Sequence, residues 1–502
     1  MTMQEPLLRP DTVPGPSPTR LGENTIALAK RLSLWYNETT FEIRDAKEPT
    51  DDTNSFCCGV GFGAQDQAII VSVPLYNLLW IDVGASSVTI KYAAPAKASV
   101  KAASLTYPYE FPCHDEVEKW VMSLLDVAYG DAQSRKRCKV LINPFGGQGY
   151  AQQMFDKKAR PILEAANCFL DVEVTSHHGH AIEIAQKLDI EAFDAVICVS
   201  GDGVPSEVFN GFGKRPDALT ALRKLAVCQL PGGSGNAMCW NLTGTDDVAA
   251  ATLAIVKGIR KPMDLISITQ GRERLLSFLS QSFGIIAECD LGTEDLRWMG
   301  GARFTVGLLQ RVIKQTVYPC DLAVKVAIEG KEEIRDHFRS RGNKQGGSQG
   351  ETDEYIGDGL PPLRFGTVTD DLPEGWELIH QPNMGNFYAG NMTWMSAGAA
   401  FFPASLPNDG MFDLVCIDGT ISRRKAVSML LAVEDGSHFD LPHVQYRKVL
   451  GYRIVPHKRE GVKEEYISID GERIDFAPFQ AEVHEGLGMV LAKSHVYDAP
   501  GV

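Results

Sequence analysis

The spacing of apolar residues divides the chain into three stretches with different periods. Between about 55 and 105 the apolar positions come in short β-like runs, Ala68–Val73, Leu78–Val83 and Ser87–Tyr92, punctuated by Gly84 and Pro95. Val117, Trp120, Val121, Leu124 and Leu125 then recur at helical spacing, which predicts an amphipathic helix over Asp115–Ala128. From Lys139 the pattern alternates. Lys139–Ile142, Phe169–Thr175, Ala195–Val199 and Ala226–Leu230 read as strands. Gly149–Ala166, His180–Leu188, Ser206–Phe212 and Asp246–Lys257 read as helices, the last capped by Asp246 and closed by Gly258. Repeated strand–helix units imply a mostly parallel sheet covered by helices, an α/β domain. After Asp264 long β-like runs dominate: Leu265–Ile268, Leu275–Ile286, Leu322–Ile328, Gly385–Ala389, Phe412–Ile417, Leu450–Val455 and Tyr466–Ile469. These predict an antiparallel β domain, interrupted by one helix at Arg423–Val433 behind the cap candidate Ser422.

The ends of these stretches define the expected organisation. Residues 1–40 carry prolines at 6, 10, 14, 16 and 18 and few bulky side chains, so a disordered tail is expected. Residues 41–132 form a β-rich module. Strands closed by one helix suggest a small pleckstrin-homology-like unit, or an N-terminal elaboration of the α/β domain. The polar, Gly-rich insertion within 339–372 reads as a disordered surface loop.

Composition narrows the function. A net charge of -15 on 502 residues argues against a nucleic-acid binder, which needs a basic face for phosphate. The 11 cysteines are scattered without repeated spacing, and the one adjacent pair is Cys57-Cys58. That fits neither a zinc site nor a secreted disulfide framework, so a reducing cytoplasmic setting is expected. The N-terminus lacks an apolar signal core, and the longest apolar stretch, Ala68–Val83, is broken by Ser72, Pro74, Asn77 and Asp82. Contact with a membrane surface is compatible with this; crossing one is not.

Three glycine-rich segments stand at predicted strand ends: Asn143-Pro-Phe-Gly-Gly-Gln-Gly149, Ser200-Gly-Asp-Gly203 and Pro231-Gly-Gly-Ser-Gly-Asn236. In an open parallel sheet, ligands bind beyond the carboxyl ends of the strands. Glycine lets backbone N–H groups approach phosphate oxygens, and the helix start after Ser234 adds a positive dipole end. The chain has no GxxxxGK[ST] sequence and no HRD/DFG pair, and Gly146-Gly147-Gln148-Gly149 lacks dinucleotide-fingerprint spacing. Phosphate would then be held by glycine turns and a helix start.

NPFGG, SGDGVPSEVFNG and PGGSGNA, in that order, resemble the catalytic domain of diacylglycerol and sphingosine kinases. Within that superfamily the sequence is most similar to sphingosine (long-chain base) kinases, through Phe278–Leu291, Leu296–Phe304 and Ile469–Glu472. The resemblance implies a nucleotide-binding α/β domain over 138–263 and a lipid-binding β-sandwich over 264–495. It implies a kinase that uses ATP and Mg²⁺ to phosphorylate the primary hydroxyl of a sphingoid base. Asp202 would be the general base. Asn143, Gly146, Gly147, Gly149, Thr175, Ser200, Gly201, Gly203, Glu207, Gly233, Ser234 and Asn236 would lie on the nucleotide side. Arg297 and Arg303 would supply phosphate charge, and Asp470, Gly471 and Glu472 would help hold Mg²⁺. Asp290, with Glu288 as neighbouring candidate, would hold the lipid ammonium, and Ser280 would lie near the lipid's other hydroxyl.

The tail pocket is expected among Phe283, Leu308, Met392, Trp394, Met395, Phe402, Met411, Met429 and Leu430. The His cluster of TSHHGHA is expected in a loop near adenine rather than as a metal site. Phe145 and Gln148 replace basic residues often present in the first turn, and Val204-Pro205-Ser206 replaces a stretch that ordinarily ends in histidine. The resemblance also suggests peripheral attachment to intracellular or plasma membranes, with Cys57 and Cys58 as acylation candidates, and leaves a homodimer open. The rival readings are a ceramide or diacylglycerol kinase and a non-catalytic nucleotide-gated lipid-binding protein.

Overall fold

The computed structural model describes residues 24–46, 67–110, 112–292, 310–312, 314–342, 357–495 and 501–502. The chain divides into two compact units, Met1–Tyr92 with Ser104–Gly130, and Ala93–Ala103 with Asp131–Val502.

The first unit is built on two antiparallel meanders. β1 (Thr25–Ala27), β2 (Leu32–Tyr36), β3 (Thr40–Ala46) and β4 (Gln67–Pro74) form one sheet; β5 (Leu78–Val83), β6 (Ser87–Ala96) and β7 (Ser99–Pro108) form the other. Alternation buries Leu34 and Tyr36 on β2 and Phe41 and Ile43 on β3. Helix α1 (His114–Tyr129) buries the apolar stripe foreseen from its spacing, and Trp120 meets Tyr36 edge-on with ring centroids 5.4 Å apart. The expected tail therefore ends too late. The prolines stop at residue 18, and the bulky residues from Ile26 onward pair as strands. The rest of that expectation, residues 1–23, lies outside the described residues, as do Cys57 and Cys58.

In the second unit β8 (Arg137–Ile142), β9 (Phe169–Val174), β10 (Ala195–Ser200) and β11 (Ala226–Pro231) are parallel, in the order β9-β8-β10-β11. Every residue of β10 and β11 is buried, as expected of parallel strands covered on both faces. The connecting helices are α2 (Ala151–Met154), continued through a wide turn into α3 (Arg160–Ala165), then α4 (His180–Lys187), α5 (Gly203–Gly213), α6 (Ala218–Lys224), α7 (Ala237–Thr243) and α8 (Val248–Val256). Helix α6 was not legible in the apolar spacing. The cap of α8 is Asp247, whose carboxylate accepts the Ala250 N–H at 2.9 Å, rather than Asp246.

The β-rich half continues the same sheet. β12 (Ile259–Gln270) and β13 (Glu273–Ser277) form a hairpin, followed by β14 (Ser280–Gly284) and α9 (Ile285–Leu291). β15 (Cys320–Ile328), β16 (Glu377–Gln381), β17 (Met384–Gly390), β20 (Phe412–Asp418), β21 (Val444–Pro456), β22 (Ile467–Ile469), β23 (Glu472–Ile474) and β24 (Phe479–Ala492) complete it, while β18 (Trp394–Ser396) and β19 (Ala399–Ala400) form a separate small pair. The predicted run Leu275–Ile286 is split, because the chain turns at Phe278-Leu279 and becomes helical at Ile285. Strand β24 joins the halves. It pairs antiparallel with β12 and β21, and parallel with β11 at Val227↔Val490. The expected boundary at 263/264 falls within β12, at a register shift between Met263 and Leu265. There the buried Asp264 carboxylate accepts the Gly410 and Gly486 N–H groups, each at 2.7 Å, and knits the bulge to two loops.

Two cores result. One packs Val208, Phe209 and Phe212 of α5 against Val196 and Cys198 of β10; the other stacks Phe387, Phe412 and Phe479 around Tyr452. The insertion is ordered at both ends. Lys331–Gly342 is a helix, and the Arg364 and Phe365 N–H groups donate to Glu482 at 2.9 and 3.0 Å while Phe365 packs on Trp376. Residues 343–356 lie outside the described residues.

Candidate active site

The three glycine turns converge at the carboxyl ends of β8, β10 and β11, and they touch through backbone alone. A Cβ on Gly233 would stand 2.3 Å from the Gly201 Cα, one on Gly232 2.9 Å from the Ser200 N, and one on Gly147 3.1 Å from the Gly232 carbonyl oxygen. Gly147 and Gly149 also hold φ of +56° and +77°, a region that favours glycine. Asn143 shapes the first turn by accepting the Phe145 N–H at 2.9 Å. Asn236 shapes the third, accepting the Gly232 and Gly233 N–H groups at 3.2 and 3.0 Å. The Ser200 hydroxyl is buried and donates to the Gly201 carbonyl, whereas Ser234 is exposed at the loop tip. The result is a side-chain-poor surface that lets backbone approach a phosphate.

Asp202 opens α5 in the middle of this surface. Its carboxylate accepts the Ala237 and Met238 N–H groups at 2.9 and 3.0 Å, the free donors at the start of α7. Burial pushes its pKa above the ordinary carboxylate range; the two amides and Gln229 pull the other way, and the Asp470 charge adds to the rise. Gln229 braces the site a second time, accepting the Cys239 N–H at 2.8 Å and donating to the Ser200 carbonyl.

Asp470, buried and at φ +51°, accepts from Ser277 Oγ at 2.6 Å, from the Phe278, Leu279 and Ser280 N–H groups at 3.0–3.1 Å, and from Ser206 Oγ at 3.2 Å. Both oxygens are thus committed to folding the β13–β14 turn onto α5. In this arrangement five donors engage the carboxylate that the resemblance assigns to the nucleotide side. Asn210 reinforces the clamp by exchanging two hydrogen bonds with the Leu276 backbone, at 2.8 and 2.9 Å. Glu472 reaches α5 itself, with Oε1 3.0 Å from where a Gly203 Cβ would be.

The clamped turn delivers Ser280. Its buried hydroxyl accepts from Tyr388 Oη at 3.4 Å, and burial raises the Tyr388 pKa, with Asp290, Asp470 and Asp202 all adding to the rise. Asp290 on α9 accepts from Ser468 Oγ at 2.9 Å and lies 3.9 Å from a Cβ position on Gly471, itself at φ +85°. Tyr388 thus meets Ser280 directly and feels the charge of all three acids. Glu288 faces away into a cluster with Arg311, Arg459 and the Tyr318 hydroxyl.

Beyond Tyr388 opens a cavity that is partly open to solvent and almost wholly apolar. Its walls include Ile285 and Ile286 of α9, Phe401, Val415, Ile417, and Met429 and Leu430 of the helix Arg423–Ala432. Of the expected tail-pocket residues, Met429 and Leu430 line it, Phe283 and Met392 belong to the cores, Phe402 is packed against Gly390, and Leu308 lies outside the described residues.

Two nucleotide-side candidates are engaged within the fold. Glu207 accepts the Gly179 and Ala181 N–H groups at 2.9 and 3.1 Å and so holds the start of α4. Thr175 is buried, with its hydroxyl turned to the Ile142 carbonyl. Arg297 and Arg303 lie outside the described residues. Among the described residues no cluster of three His, Cys, Asp or Glu side chains is arranged to hold a metal; His177 of the His loop pairs with Glu183. Sequence reasoning missed Gln229, Ser277, Tyr388 and Ser468, which have no local signature. Asn210 lay unremarked inside the SGDGVPSEVFNG block.

Known proteins agree with this architecture. A diacylglycerol kinase catalytic domain model matches residues 137–268, and a YegS C-terminal NAD kinase beta sandwich-like domain model matches 380–492. A domain of unknown function (DUF7493) matches residues 24–130. The chain is 32% identical over 468 residues to Sphingoid long chain base kinase 5 of Saccharomyces cerevisiae, covering 82% of this chain and 68% of that one. It is 32% identical over 446 residues to Sphingoid long chain base kinase 4 of Schizosaccharomyces pombe, covering 88% and 92%. It is 30% identical to Sphingosine kinase 1 of Homo sapiens, over 69% of this chain and 88% of that one. Among solved structures, a candidate diacylglycerol kinase of Bacillus anthracis str. Sterne superposes with a TM-score of 0.50 at 17% identity, over 72% of this chain and 97% of that one, a likeness of fold. The glycine-turn carboxylate site and the sandwich cavity thus sit in a chain that belongs to the sphingoid long-chain base kinases, lipid kinases built on the diacylglycerol kinase catalytic domain.

Proposed function

We propose that the protein transfers the γ-phosphate of ATP to the primary hydroxyl of a sphingoid long-chain base, giving the 1-phosphate and ADP. The observation that carries this reading is Asp202, a carboxylate of raised pKa held by the start of α7 among three interlocked glycine turns. Asp202 takes the proton of the acceptor hydroxyl as that oxygen bonds to the γ-phosphorus and the bond to the β-phosphate oxygen breaks. A pKa drawn towards neutrality suits a general base. The N–H-rich turns of Gly146, Gly147, Gly149, Gly201, Gly203 and Gly233 orient the phosphates, with Arg297 and Arg303 supplying positive charge. Mg²⁺, when bound with the nucleotide, neutralises phosphate charge; Glu472, at the start of α5, is the acid whose position fits it, and Asp470 is not.

On the lipid side, Asp290 holds the ammonium, Ser280 and Tyr388 face the polar head, and the sandwich cavity takes the alkyl tail. An acid at an apolar mouth favours an amine-bearing lipid over a neutral one, because a neutral head leaves Asp290 desolvated without a partner. The two meanders and closing helix of residues 24–130 fit a pleckstrin-homology-like unit. The setting we propose is cytoplasmic, at a membrane surface.

An assay with radiolabelled ATP across sphingosine, dihydrosphingosine, phytosphingosine, ceramide and diacylglycerol tests the reading. Label should enter the three bases. Asp290→Asn should raise KM for a base by roughly 30-fold or more, as loss of a buried charge partner does, and leave the neutral lipids unchanged. Equal labelling of ceramide or diacylglycerol, or none of any base, defeats the proposal.

A further inference from the structure

The helix Arg423–Ala432 has two unlike faces. Its inner face places Ala426, Met429 and Leu430 in the wall of the cavity. On its outer face Val427 and Leu431, one helical turn apart, are 38% and 71% exposed. Arg423, Arg424 and Lys425, all exposed, occupy its first turn, with no acid there to balance them. This is an unfavourable place for cations, since the positive end of the helix dipole repels them. Among the described residues neither Arg424 nor Lys425 joins an ion pair, whereas Arg447 binds Glu329 and Glu377, and Arg459 binds Glu465. On a chain of net charge -15, the adjacent cations Arg424 and Lys425 beside two exposed aliphatic side chains call for an external anion. Glu434 and Asp435 follow the other end of the helix, about 15 Å away at 1.5 Å per residue, beyond the screening length of about 8 Å at physiological salt.

We propose that the outer face of this helix docks on an anionic lipid bilayer. Arg424 and Lys425 meet the headgroup charge, with Arg423 beside them, and Val427 and Leu431 enter the acyl boundary. The cavity wall then lies against the membrane, so a single-chain lipid leaving the bilayer passes one helix to reach the tail site. The inference rests on the lipid-kinase reading and specifies where that enzyme meets its substrate's source.

The test is flotation of the full-length protein with phosphatidylcholine vesicles, with and without phosphatidylserine, paired with phosphorylation of a base presented in detergent micelles or in the same vesicles. Arg424→Glu with Lys425→Glu should weaken binding to the anionic vesicles by roughly 100-fold, since each basic residue near such a surface contributes about 1 kcal/mol and reversal also adds repulsion. Leu431→Glu should weaken binding to both vesicle types. In both variants KM should rise only for vesicle-presented base, with micellar turnover and thermal midpoint unchanged. Leu431→Ser, a milder change, serves if the glutamate lowers the midpoint. Variants that bind anionic vesicles like the wild type overturn the docking face and leave the kinase reading intact. So does a change in oligomeric state without a change in flotation, which would assign the face to self-association. Absence of micellar turnover in the wild type would instead sink the kinase reading itself.

Discussion

The glycine turns and the sandwich cavity lie at opposite ends of the proposed reaction and are built on opposite principles. In the turns the backbone makes the surface. Gly233 leaves a Cβ only 2.3 Å from Gly201, so the chain segments interlock with no side chain to adjust. In the cavity, side chains make the surface, and the walls are flexible Met429, Leu430 and the isoleucines of α9. Phosphate has one shape and demands a fixed cradle; an alkyl tail has many shapes and is satisfied by apolar volume. Asp470 stands between, with its charge used entirely to set one region against the other.

The comparison breaks first at Asp202. If chemistry belongs to the turns alone, Asp202→Asn should lower kcat by about 10²–10⁴-fold and leave KM for the lipid nearly unchanged. A matching loss of lipid affinity would merge the two regions. Next comes the joint: Asp470→Ala leaves buried donors without an acceptor and should destabilise the protein by about 3–5 kcal/mol in denaturant titration. Asp470→Asn should recover part of that stability. If Asp470 positions rather than coordinates, the dependence of rate on Mg²⁺ concentration should be unchanged in that variant.

Gly233→Ala sharpens the contrast within the turns. Overpacking of backbone on backbone should cost about 1–3 kcal/mol and raise KM for ATP. Met429→Leu, a volume-conserving change in the cavity, should cost less than about 1.5 kcal/mol and shift only the preference for tail length.

The smallest effect is on pH. Burial depresses the pKa of His484 to about 3, with Arg274 and Arg364 adding to the drop, while its ring bonds Ser267 at 2.9 Å. The unfolded chain would take up a proton near the ordinary value of 6.5 that the fold refuses. Stability from this group is therefore complete above 6.5 and declines as pH falls towards 3. His484→Gln should flatten that limb of the thermal midpoint against pH, while the Asp202-controlled activity limb stays in place.

Much of the frame was legible before any coordinates. The β–α alternation of 139–257, the stripe of α1 and the cap at Ser422 follow from period and local chemistry, both of which act within a few residues. Positions 25–40 read as tail because their strands are short and belong to a sheet completed only at β4. Helix α6 failed to show because Ala218, Ala221 and Leu222 form too short a stripe.

The sequence by itself therefore determined the three glycine turns, their order and the carboxylate among them. Those are properties of residue type and spacing along a chain. Only the tertiary structure decided what each acid is for. Asp470 and Glu207 share the chemistry of Asp202, yet their oxygens are filled by N–H and O–H groups from elements far away in sequence. The passage of β24 from the sandwich to β11 and the lining of the cavity belong to the same class, because pairings between distant segments are set by which surfaces meet when the cores close.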